Sequence, residues 1–475
     1  MKKLLFILLL LFSFIFISCN KPKAIPPSYE DIYEKTPYEE TKNPDPVPTP
    51  VITETVEPEP TKIIDPTPVD TEVPTPTPVE TEPPAPTIEP TTEPVKEKVY
   101  LGIDLIDENL DLFKDKRVGL ITNATGINSN YESTIDILFE KVNLVALFAP
   151  EHGIRGANPA GGTVTDEVDP VTNLPVYSLY GSTSTPTKEM MDNIDIMCID
   201  IQDVGARFYT YIYTMANAMK ACKQYDKEFV VFDRPNPVSG NVVQGTILDM
   251  TYSSFVGMYP LVQRHGMTIG EIAKYFNLGQ SINCKLAVIK MKNWNRNMYF
   301  DECDVPWVLP SPNMPTLDTA LVYTGTCIFE GTNLSEGRGT TRPFELIGAP
   351  WIDAIELSNA LNDLNLGGVF FRPASFTPTT SKFSGTQCFG VQVHVTDRNA
   401  FESVKVGYAM LEVIRTLYPS NFQILNANQT KCMLNLLTGC NYINKHTYSL
   451  EEQFALIDQD TQTFINQRKI YLMYE

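Results

Sequence analysis

Glu151, His152 and Arg155 stand together in the stretch PEHGIRG (150–156), directly after an apolar run. An acid, an imidazole and a guanidinium on one turn can transfer a proton, orient a substrate and bind an anion. The stretch DIQDVGARFYTY (200–211) adds Asp203, Arg207 and Tyr209, and DRPNPVSG (233–240) adds Asp233 and Asn236. A third polar cluster lies within residues 307–350, where Asn313, Glu330, Asn333, Glu336, Arg338 and Glu345 sit among glycines and prolines. Loops that combine charge with rigid turns are candidate sites. Carboxylates with arginines and tyrosines suit glycoside hydrolysis: one carboxyl group protonates the leaving oxygen, and a second attacks or activates water. Arginines suit a substrate that carries its own carboxylate, through bidentate pairing. Carboxylate-rich clefts also occur in binding proteins, so composition leaves that alternative open.

Other catalytic engines are missing from the sequence. It contains no G-x-S-x-G elbow, no Walker loop, and no G-x-G-x-x-G after its first strand. The four histidines (152, 265, 394 and 446) are scattered, and no H-E-x-x-H pattern holds two of them on one helix face. Neither a metal nor a cofactor is expected. Eight cysteines follow Cys19, and none forms a C-x-x-C pair. A disulfide between Cys432 and Cys440 stays open, since spacing alone does not give connectivity.

Something must bring these side chains together. RVGLITN (117–123), VNLVALFAP (142–150), IDIMCIDIQ (194–202) and EFVVFDRP (228–235) read as buried strands, and residues 210–225 have helical period. Strand–helix alternation implies a mostly parallel sheet covered on both faces. Ligands then bind beyond the carboxyl ends of the strands. The polar turns follow these four strands, so they converge on one edge. Glu151, His152, Arg155, Asp203, Arg207, Tyr209, Asp233 and Asn236 would share a cleft there. For Asp233 and Asn236, helix capping and turn formation compete equally with that reading. The second half shows helix (353–364), strand (390–397) and helix (400–418) patterns, as in a smaller α/β or α+β domain. The expected organisation is a Rossmann-like doubly wound domain over 98–292 and a C-terminal domain over 293–475, with the site between them.

The chain opens with two lysines, an apolar run and Ser18-Cys19, the pattern of a lipoprotein signal peptide with Cys19 as the lipid attachment site. Residues 20–97 hold 20 of the 37 prolines, among Thr, Glu and Val, and cannot bury a core; they read as a disordered, extended spacer. This spacer carries 17 acidic and 6 basic residues, about half of the net charge of −20. The remainder is acidic too, which argues against a nucleic-acid partner. Export, with a lipid holding the protein on the outer face of a membrane at the cell surface or in the periplasm, is the expected location.

Six stretches in order, PEHGIRG, DIQDVGARFYTYIYTM, DRPNPVSGNVVQG, RHGMTIGEIA, LPSPNMPT and FEGTNLSEGRGTTRPFELIGAPW, resemble the exo-β-N-acetylmuramidase family over roughly 99–475. The resemblance implies a Rossmann-like domain plus a smaller one, a cleft between them, and release of terminal N-acetylmuramic acid from the non-reducing end of peptidoglycan fragments. The lactyl carboxylate of that sugar would give the arginines a partner. Glu151 is the expected principal carboxylate, acting as general acid, with His152 orienting it or binding the sugar. Asp203 is the candidate second carboxylate, with Glu336 in reserve. Arg155, Arg207 and Arg338 are candidates for the lactyl group, and Tyr209 and Asn313 for acetamido or hydroxyl groups. No nucleotide is implied, because the glycine fingerprint is missing. A silent glycan-binding lipoprotein, or another hydrolase on the same scaffold, remains the alternative.

Overall fold

The computed structural model describes residues 97–154, 166–181 and 183–475. The signal peptide with Cys19, the spacer up to residue 96, and Arg155 lie outside the described residues.

The first half builds a seven-stranded sheet from β1 (Val118–Thr122), β2 (Leu144–Ala149), β3 (Glu167–Val168), β4 (Pro175–Ser178), β5 (Ile196–Asp200), β6 (Glu228–Phe232) and β7 (Lys285–Ile289). Their spatial order is β3-β4-β2-β1-β5-β6-β7. Every neighbouring pair is parallel except β3 with β4. β1 and β5 are buried along their whole length, so they read as unbroken apolar runs rather than alternating ones. They pair in register from Val118 with Ile196 to Thr122 with Asp200. The chain winds outward from β1 to β4 on one side and from β5 to β7 on the other. The switch point of this doubly wound sheet therefore lies between β1 and β5. Helices α1 (Thr134–Lys141), α2 (Lys188–Asp192), α3 (Tyr211–Gln224) and α4 (Ile269–Lys274) connect the strands. α3 matches the helical period expected at 210–225.

The second half runs through α5 (Leu317–Thr326), β8 (Leu346–Ala349), α6 (Ala354–Asn362), β9 (Val369–Phe376), β10 (Cys388–Val395), α7 (Ser403–Leu417), α8 (Met433–Thr438) and α9 (Leu450–Arg468). Its antiparallel sheet has the order β8-β10-β9. β9 carries Pro373, which cannot donate to a ladder, and it is an edge strand, where a proline is tolerated.

One apolar cluster joins the halves. It holds Phe208, Ile212 and Val231 from the first and Tyr323, Phe344, Val404 and Leu437 from the second. The last residues return to the first half: Arg468 Nη1 donates to Gly240 O (2.9 Å), and Tyr474 Oη donates to Asp233 Oδ2 (2.6 Å). Among the described residues no helix is long and apolar enough to cross a membrane.

Candidate active site

Glu151 comes within two residues of the carboxyl end of β2. The chain reverses there: Gly153 N donates to Pro150 O (3.0 Å), and His152 and Gly153 take φ of +73° and +74°. Two successive left-handed residues are uncommon, and for a non-glycine residue such as His152 the conformation costs on the order of 1 kcal/mol. His152 is buried, Glu151 is half-buried, and both line a pocket.

The start of α3 forms the neighbouring wall. Thr210 occupies the N-cap position, where a threonine side chain ordinarily accepts a bond from the helix backbone. Here it makes no such bond. Its Oγ1 donates instead to Glu151 Oε2 at 2.8 Å. Beside them lies an aromatic wall. Tyr209 meets Tyr211 edge to face at 5.0 Å and Tyr323 at 6.0 Å, and Tyr323 meets Phe344 at 4.6 Å. Burial pushes the Tyr209 and Tyr323 hydroxyls far above the usual tyrosine range, so both stay neutral.

The second half closes the pocket with Ser311, Asn313, Met314, Glu330 and Arg338. Glu330 lies on the 3-10 turn that follows α5 and is nearly buried. Arg338 Nη2 and Nε donate to Glu330 Oε1 at 2.5 and 3.2 Å. The guanidinium also lies over the Phe344 ring, 5.1 Å from its centre. These residues from both halves line one pocket.

Two family models cover the chain end to end from β1. The N-terminal model of exo-beta-N-acetylmuramidase NamZ matches residues 118–318, and its C-terminal model matches residues 321–474. The chain belongs to the NamZ family. It is 51% identical over 385 residues to the "Peptidoglycan beta-N-acetylmuramidase NamZ" of Bacillus subtilis (strain 168), covering 80% of this chain and 92% of that protein. Two solved DUF1343 family proteins from Bacteroides fragilis NCTC 9343 are similar in structure. One has a TM-score of 0.73 at 36% identity, the other 0.64 at 32%, and each comparison covers 80% of this chain and 99% of theirs. The two-domain α/β architecture expected from the sequence is that of these relatives.

Within this NamZ-family fold, the pocket brings together Glu151, His152, Tyr209, Asn313 and Arg338 of the residues singled out from sequence. Asp203, Arg207, Asn236 and Glu336 are not among its described lining residues. Arg207 is fully buried and donates to Thr246 O (2.8 Å), Leu261 O (2.9 Å) and Leu437 O (2.6 Å). It binds three backbone segments rather than facing the pocket. Asn236 closes its own turn, donating to Met267 O (3.0 Å) and accepting from Val238 N (3.1 Å). Asp203 is buried, accepts from Gly205 N (2.7 Å) and lies 3.5 Å from His265 Nε2. Glu336 is buried behind Arg338 and paired with Lys382 at 3.0 Å. Sequence reading missed Thr210, Tyr211, Tyr323 and Phe344, and gave Glu330 no role. Its one signal was the loop that Glu330 shares with Glu336 and Arg338.

Proposed function

We propose that this chain is an exo-acting glycoside hydrolase that releases terminal, non-reducing β-1,4-linked N-acetylmuramic acid from peptidoglycan fragments. The observation that carries this is Glu151, held by Thr210 Oγ1 at the wall of a pocket that both halves of a NamZ-family fold complete.

Glu151 acts as the general acid. Its proton passes to the glycosidic oxygen as the bond from that oxygen to the anomeric carbon breaks, and water adds to the carbon and passes a proton to a pocket carboxylate, which restores the proton count. Glu330 is the other carboxylate among the described lining residues, and its charge is balanced by Arg338. Placed there, the pair puts both a negative and a positive group against the sugar. The negative end favours the developing oxocarbenium charge, and Arg338 favours the lactyl carboxylate. The neutral hydroxyl of Tyr209 and the amide of Asn313 supply bonds to acetamido or hydroxyl groups. The aromatic wall packs against the sugar's apolar face.

Attachment through a lipid on Cys19, on the outer face of a membrane, belongs to the same proposal and rests on the sequence signature at residues 1–19. Labelling of the protein by a radioactive fatty acid, lost in Cys19→Ala, tests it. For the reaction, the test is product analysis on the disaccharide N-acetylmuramyl-β-1,4-N-acetylglucosamine beside N,N′-diacetylchitobiose. Release of N-acetylmuramic acid from the first with the second untouched supports the proposal. Cleavage of both, or of neither, contradicts it.

A further inference from the structure

The loop joining β9 to β10 (377–387) belongs to the small sheet, yet it lies against the turn that carries Arg338. Thr379 donates to Gly339 O through both its backbone N (2.9 Å) and its Oγ1 (2.8 Å). Gly339 has a φ of +79°, and a Cβ there would come 2.5 Å from Thr380 N, so the loop and the turn meet at backbone distance. This docking carries Lys382 inward. Its side chain is only 15% exposed. Its Nζ reaches Phe329 O (2.9 Å), Leu334 O (3.0 Å), Glu330 O (3.3 Å) and Glu336 Oε2 (3.0 Å).

Arg338 stands between two nearly buried carboxylates. It is 2.5 Å from Glu330 Oε1 at the pocket and 3.4 Å from Glu336 Oε1 behind it. One guanidinium facing two buried carboxylates would leave a negative charge uncompensated, which is costly. It would also be drawn toward whichever carboxylate lacks a second cation. We propose that Lys382 is a positioning residue for the site: it neutralises Glu336, so that Arg338 stays on Glu330 at the pocket wall. The small sheet then has a task in the reaction, setting from outside the pocket where its cation lies. The kinetic consequence rests on the function proposed above; the position of Arg338 does not.

The test is a double-mutant cycle on the full chain, read by kinetics on a chromogenic β-N-acetylmuramide and by crystal structures. In Lys382→Met, kcat/KM falls about 10- to 100-fold, mostly through KM, and Arg338 turns from Glu330 toward Glu336. Adding Glu336→Gln removes the competing charge and recovers at least tenfold, with Arg338 back on Glu330. A side chain that merely caps carbonyls gives a different result. The double variant is then as impaired as Lys382→Met, or Arg338 keeps its place in the single variant, and either outcome overturns the proposal. If the parent releases no sugar, the proposed function fails, and the crystal structures alone decide the role of Lys382.

Discussion

Thr210 links helix formation to chemistry. A threonine at an N-cap typically stabilises its helix by about 1 kcal/mol through a bond to the backbone, and here that hydroxyl is directed at Glu151 instead. Thr210→Val should therefore lower kcat by about tenfold, the scale of one hydrogen bond to an ionisable group. The thermal midpoint should move by no more than a few degrees, because no helix cap is lost. Steady-state kinetics with a melting curve checks both. The place of Glu151 at the pocket was legible in the sequence because a glutamate before His-Gly has no turn-forming task. Arg207 was misleading for the opposite reason. An arginine in the polar, glycine-containing turn beyond a strand looks ligand-facing, yet its acceptors, at residues 246, 261 and 437, are distant in sequence and appear only on folding. Glu330 and Glu336 differ only in which one the turn presents to the pocket, and no local pattern encodes that.

The strands after which polar turns collect were readable as apolar runs, because both faces of a parallel sheet are covered. β4, four residues with a proline at its start, and β7, the edge strand that opens on Lys285, were not read, and β9 was hidden by its proline. The carboxyl edge turns out to divide its polar residues between site and framework. Arg234 pairs with Asp200 through Nε (2.5 Å) and Nη2 (2.8 Å) and donates to Ile127 O (2.6 Å), tying three strand ends together. Asp233 joins β6, α4 and the chain's last residues. It accepts from Gly270 N (2.8 Å), Thr268 Oγ1 (2.8 Å) and Tyr474 Oη (2.6 Å). Burial pushes its carboxyl up to about 6, against the pull of these donors and with the help of nearby Glu271. The folded state thus holds a proton that the unfolded chain, near 3.8, has released. The stabilisation from that proton is complete below about pH 4 and is lost as the pH rises through 6, on the order of 3 kcal/mol. Between pH 4.5 and 6.5 the parent should lose stability relative to Asp233→Asn, in urea denaturation followed by circular dichroism. A difference that grows in the opposite direction would contradict the assignment.

At the scale of the whole molecule, the pocket is a product of both halves. Glu151 and Thr210 come from the first, Glu330 and Arg338 from the second, and the apolar cluster runs without a break beneath them. A continuous core predicts that the halves unfold together. Fluorescence of Trp294, Trp307 and Trp351, all in residues 293–475, should superimpose in urea on the circular dichroism of the whole chain. Two separated transitions would show halves that fold independently. The two-part α/β organisation was readable from the order of elements, whereas the convergence of residues 151, 210, 330 and 338 depends on tertiary packing. The central claim is that Glu151 donates the proton that frees N-acetylmuramic acid. The most direct measurement is turnover of a chromogenic β-N-acetylmuramide and the matching N-acetylglucosaminide by the full chain and its Glu151→Gln variant. The account predicts cleavage of the muramide alone and a kcat about 10²- to 10⁴-fold lower in the variant. For a leaving group that needs little protonation, such as a nitrophenol, the loss moves toward the lower end, so a poor leaving group is the better reporter. A variant that equals the parent on such a substrate would contradict it.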